Sequence, residues 1–253
     1  MPVFSTFGSK KHNWRVFDIF VILFIAMIIV PNLVTWLVQI FYFSQGRELE
    51  VAELKEIVLL PAVFIQELAL LWLTLASVRR GYERPLGSIG LKAAPLWGTL
   101  GAGILWGAGL LWAELMAEQL SYLTFSWFLG RETVEETLLE ENSWVAGLIP
   151  PEASLLRLGA LFVLLVIVVP VAEEVFYRGF AFQVFKERFG GQGAVFLTAF
   201  IFALMHGYLV HFLPIFVIGV GLGYIVKHFG SVWPGIIGHA LVNLVAYVSI
   251  IMS

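Results

Sequence analysis

Two adjacent carboxylates, Glu173 and Glu174, follow a run from Leu155 to Pro170 whose sole charge is Arg157. An ionisable side chain at membrane depth costs at least about 2.5 kcal/mol, so it is expected to face a protein interior and to act there. On a helix, Glu174 and Arg178 stand four apart on one face and can pair, while Glu173 points about 100° away and stays free to meet another helix. Two more polar groups sit in separate apolar runs: His206, four residues after Phe202, and His239, four before Asn243. The breaker Gly190-Gly191-Gln192-Gly193 lies at nearly equal distances from Glu173 and His206, so a helical hairpin turning there brings the two to similar depth. His239 and Asn243 share a helix face and add an imidazole and an amide. Glu173, His206, His239 and Asn243 together are an enzyme's inventory inside an aliphatic and aromatic bundle. Glu173, His206 and His239 are also a recognised zinc set with water as the fourth ligand.

The elements that must position these residues are read from hydropathy. The chain has 253 residues, is 60% hydrophobic and 13% charged, and has a mean hydropathy of +0.90, which places it in a bilayer. Apolar runs near 16–43, 57–78, 96–128, 155–186, 193–212, 215–227 and 232–252 predict an all-α polytopic transmembrane bundle. Seven or eight spans would enclose a polar intramembrane cavity, and residues 1–253 form a single integral-membrane domain. The third and fourth runs exceed one crossing, and the sixth is a partial span. The first run follows Lys10, Lys11 and Arg15, is too long for a signal-peptide core, and reads as a retained span. Of 15 basic residues, only Arg47, Lys55, Arg131 and Arg157 fall on one side, which predicts a cytoplasmic N-terminus in a plasma or inner membrane. The acidic stretch 131–152 then forms an outer loop. A net charge of −3 with scattered basic residues argues against nucleic acid. Cysteine is absent, which removes thiolate nucleophiles and disulfides. The pairs Gly103/Gly107 and Gly219/Gly223 have the spacing of close helix approach.

Three motifs stand in order in separate apolar helices: Glu173-Glu174-Val-Phe-Tyr-Arg178, Phe202-Ala-Leu-Met-His206 and His239-Ala-Leu-Val-Asn243. At these positions the sequence resembles the CAAX-processing and bacteriocin-immunity membrane proteins, which include the CAAX prenyl endopeptidases. The resemblance covers roughly residues 155–250 as a catalytic core. It implies a glutamate-dependent intramembrane endopeptidase acting on a membrane-associated protein or peptide. Glu173 with His206 would activate water, His239 and Asn243 would stabilise the oxyanion, and Glu174, Arg178 and Phe202 would support them. It implies no cofactor; the zinc metalloprotease reading, with Glu173, His206 and His239 as ligands, is the alternative.

Other chemistries fit less well. Asp18 is the sole aspartate, so a two-aspartate protease is impossible, and there is neither a His-Glu-x-x-His nor a Gly-x-Ser-x-Gly motif. Ser88 belongs to a turn. A proton-coupled transporter would use the same Glu and His residues, but no inverted repeat is visible. A non-catalytic membrane partner or immunity protein would not need the intact motifs. His211 and His228 sit beside connectors, where interfacial solvation accounts for them. Glu67, Glu114 and Glu118 read as interior or interfacial polar contacts.

Overall fold

The computed structural model describes residues 14–149 and 153–252; Lys10 and Lys11, used above for orientation, lie outside them. All regular structure among the described residues is helical. Helix α1 runs Val16–Ser44, with a π-helical turn at Phe24–Ile29. Helix α2, Val51–Ala76, opens with a capping box in which Glu50 and Glu53 satisfy each other's backbone amides, and it leaves through a π turn at Ser77–Gly81. Helix α3 is the 34-residue Leu96–Leu129, long enough to project past the lipid.

The stretch Leu155–His206 is apolar throughout, but Gly190, at φ 70° and ψ 175°, folds it into two helices, α5 over 155–189 and α6 over 191–206. Glycine adopts that backbone without a Cβ clash, which is why the chain reverses there. Tyr177 meets Phe202 across the hairpin, ring centroids 5.2 Å apart. Helix α7 is Phe212–Phe229 and helix α8 is Trp233–Met252. Six apolar stretches are long enough to cross a membrane, and with Leu155–His206 folded in two the count becomes seven.

Three expectations need correction. The run 215–227 is a helix of 18 residues, Phe212–Phe229, and not a partial span. The fifth span stops at His206 and does not reach 212, because Gly207 takes φ 72° and ends the helix left-handed. The stretch 131–152 is no simple loop, since Arg131–Ala146 forms helix α4 against the bundle.

Glycine sets how closely the helices approach. A Cβ on Gly107 of α3 would stand 3.0 Å from the Gly238 Cα of α8, and one on Gly219 of α7 would stand 3.0 Å from the Ala199 Cα of α6. Those two contacts draw α8 and α7 against the rest of the bundle, so His239 and Arg178 reach their partners. At the end of the bundle carrying the α5–α6 turn, the Tyr82 hydroxyl donates to buried Asp18, and Arg84 lies 4.6 Å over the Trp14 ring. Ser88 lies in the short 3₁₀ turn Leu86–Ile89, which abuts Gly179 of α5.

Candidate active site

Helix α5 carries Glu173, Glu174 and Arg178; a π-helical turn at Val163–Val168 precedes that stretch, and a second at Glu174–Ala181 contains Glu174 and Arg178. π turns widen a helix locally and recur at functional sites. Pro170 helps to explain the first. It has no N–H, and the Val169 amide bonds back to the Leu164 carbonyl, so the Leu165 carbonyl loses its helical donor. Asn243 of α8 supplies the missing donor, Nδ2 to Leu165 O at 2.8 Å.

Arg178 is fully buried. One guanidinium nitrogen donates to Glu174 Oε1 at 2.9 Å and another to the Gly219 carbonyl at 3.1 Å, while the guanidinium carbon lies 4.4 Å from the Phe202 ring centroid. Phe202 is therefore a cation–π platform as well as core. On the other side of Glu174 stands His239, with Nδ1 3.2 Å from Glu174 Oε1 and Nε2 3.7 Å from Glu173 Oε2. The imidazole spans both carboxylates, so a single ring ties α8 to the adjacent glutamates of α5.

His206, the last residue of α6, places Nδ1 2.7 Å from the Phe202 carbonyl. The carbonyl only accepts, so Nδ1 carries a hydrogen, and in its neutral form the ring presents the lone pair of Nε2. Glu173 and His206 line one cavity of about 890 Å³, together with Gln66 and Glu67 of α2 and Tyr208. His239 and Asn243 are not among its lining residues. Of the candidates, the structure thus brings Glu173 and His206 to the cavity, puts Glu174, Arg178, Phe202 and His239 behind them, and spends one Asn243 amide hydrogen on the backbone.

Two residues read as incidental from sequence have defined places. Glu67 is 3% exposed and lines the same cavity as Glu173. Its signal was a lone carboxylate in an apolar span, but helical spacing could not show the cavity, whose other carboxyl groups are on other helices. His211 is not explained by interfacial solvation: its Nδ1 lies 2.6 Å from Glu141 Oε2, and Glu141 also accepts the amides of Leu209, Val210 and His211. Those amides precede α7 and have no helical acceptor, so α4 caps α7 with a carboxylate from outside its own sequence. Burial alone would raise the Glu141 carboxyl pKa, but the Val210 amide, the His211 ring and the amides of Leu209 and His211 outweigh it and hold it below the ordinary value. Glu114 and Glu118 line a second cavity of about 710 Å³, half-buried at membrane depth. His228 is exposed at the end of α7.

As a zinc set, Glu173, His206 and His239 do not fit as arranged. Among the described residues, no three of His, Asp and Glu are placed to hold a metal ion, and both His239 nitrogens are turned to carboxylates.

Residues 156–245 match the family of the type II CAAX prenyl endopeptidase Rce1-like proteins, and that segment contains all three motifs. No curated protein and no solved structure matches the chain. The apolar helices and the matched family make this an integral membrane protein.

Proposed function

We propose that this chain is an intramembrane endopeptidase that hydrolyses a peptide bond of a membrane-associated protein or peptide, with residues 155–250 as its catalytic core. The observation that carries the reading is a carboxyl group and an imidazole, Glu173 and His206, on the wall of one cavity inside an apolar bundle. In this reading Glu173 takes a proton from a water held between it and His206 Nε2, and the water oxygen attacks the scissile carbonyl. The tetrahedral oxyanion needs donors where its charge appears. Asn243 retains one amide hydrogen beyond the one given to Leu165, and His239 offers Nε2, so both remain the donors assigned here. Collapse of the intermediate returns the proton from Glu173 to the leaving amine, giving an amine and a carboxylic acid, which then ionises by releasing its proton to water.

The arrangement behind the pair serves positioning. Arg178, which need not touch substrate, offsets Glu174, and the Nδ1 side of His239 meets the same carboxylate, so the stretch of α5 that carries Glu173 is fastened beside the cavity. Orientation of this kind supplies much of an enzyme's advantage when the reacting atoms must meet within about 3–3.5 Å. An N-terminus in the cytoplasm and residence in the plasma or inner membrane belong to the same proposal, from the distribution of basic residues.

The test is cleavage of membrane-tethered peptide libraries by the purified chain in detergent. Glu173→Gln and His206→Ala are each expected to be nearly inactive, and activity is expected to survive exhaustive chelation. Full cleavage by Glu173→Gln would sink the peptidase assignment of this site. Chelator-sensitive cleavage restored by zinc, with metal bound in stoichiometric amount, would replace the metal-free mechanism by the zinc one.

A further inference from the structure

The cavity that holds Glu173 and His206 is lined by Glu67, Glu140 and Glu141 as well, and by no lysine or arginine. Of these, Glu141 is satisfied by backbone amides and His211. Glu67 is not. Its Oε1 accepts from Gln66 Nε2 at 3.1 Å, while Oε2 is buried with no hydrogen-bond partner among the described residues. Buried carboxylate oxygens are rarely left so, because the lost hydration is not replaced. Glu140, exposed at the same cavity, makes no ion pair among the described residues. A wall that carries four carboxyl groups and no lysine or arginine, with one buried acceptor unfilled, is complementary to a cationic donor brought in from outside.

We propose that Glu67 is a specificity-determining residue of this cavity, receiving a Lys or Arg side chain of the substrate beside the scissile bond. The inference rests on the proposed function for the identity of its ligand as a substrate. A cation at Glu67 fills the orphan Oε2 with a charge-assisted hydrogen bond and is attracted by Glu140 at the same cavity. A carboxylate there meets like charge, so a segment with a basic residue near the bond is favoured over one with an acidic residue in its place.

The test separates binding from cleavage. Leucine-rich single-span peptides, identical except for Lys, Gln or Glu scanned over four successive central positions, are titrated against the Glu173→Gln chain in nanodiscs by fluorescence anisotropy. The best Lys peptide is expected to bind about ten- to a hundredfold tighter than its Gln counterpart, the span of a buried hydrogen bond to a charged group, with the Glu peptide weakest. Adding Glu67→Gln should bring Lys and Gln to near parity, and Glu67→Asp should keep part of the preference, which guards against a folding artefact. Equal affinities, no binding by any peptide, or a preference untouched by Glu67→Gln would overturn the inference. The same peptides are then given to the unsubstituted chain. A Glu67-dependent Lys preference without cleavage would overturn the peptidase reading and leave the site standing, whereas cleavage indifferent to Lys would do the reverse.

Discussion

Replacing Arg178 by alanine removes three things at once. The guanidinium is 0% exposed, so nothing from solvent can replace it. Glu174 loses its 2.9 Å partner and keeps only the His239 Nδ1 contact at 3.2 Å, the Gly219 carbonyl loses its donor, and the Phe202 ring loses its cation. Stranding one charge of a buried pair costs about 3–5 kcal/mol, and the orphaned carbonyl falls within that range because the losses share one side chain. For a chain of this size each kcal/mol lowers Tm by about 2–4 °C, so Arg178→Ala is expected to unfold roughly 6–20 °C early. Thermal scans in detergent can follow this through the nine tryptophans. Arg178→Lys keeps charge but cannot fork between Glu174 and Gly219, and should fall between the two. Glu174→Gln with Arg178→Met removes both charges and should unfold later than Arg178→Ala, because no buried charge is left unpaired. If Arg178→Ala melts within about 2 °C of the unsubstituted chain, the pair is incidental and the argument that it holds Glu173 in place fails.

Asn243→Ala should lower both turnover and stability, the latter by about 1–3 kcal/mol, since it orphans the Leu165 carbonyl that Pro170 cannot help; unchanged Tm would show that the amide does not fasten α8 to α5. Gly107→Ala must push α3 away from Gly238, an expected loss of about 1–3 kcal/mol, whereas a Cβ on Gly101 meets nothing within 4 Å, so Gly101→Ala should be neutral or gain up to about 1 kcal/mol of helix propensity. Equal melting of the two variants would refute close approach at Gly107. The Glu141 carboxyl is held below its ordinary value, so its stabilisation is present above the unfolded pKa of about 4.3 and is lost as pH falls through the lower folded value. The Tm gap between the unsubstituted chain and Glu141→Gln should therefore hold from neutral to about pH 5 and shrink below about pH 4; a gap constant down to pH 3 would deny that the carboxylate form caps α7.

Much of the bundle was legible in the chain because hydropathy and helix breakers are local. Apolar runs of span length marked α1, α2, α3 and α8, a shorter run marked α7 without its full extent, and Gly190 marked the turn that folds 155–206 on itself. The four-residue spacing of Glu174 and Arg178 marked their pairing, which survives even inside a π turn. The ends were read less well where one residue decides them. Gly207 stops α6 at His206 although Tyr208, Leu209 and Val210 are apolar enough to continue the run.

What the chain alone could not show concerns direction around each helix axis. Hydropathy and distance from a turn report depth in the membrane, and depth put Glu173 and His206 at the same level. Which of the polar groups at that depth face one another depends on rotation. Each π turn shifts the rotation of everything beyond it, and each glycine contact sets which neighbour lies across. That is how His239 came to bridge Glu173 and Glu174 instead of lining the cavity, how Asn243 came to serve the carbonyl freed by Pro170, and how Glu67, unremarkable on α2, came to line the same cavity as Glu173. The same holds for Glu141, whose amides are on a segment far along the chain. Depth is written into local sequence because it follows from counting residues at a fixed rise, while azimuth emerges only when the helices pack.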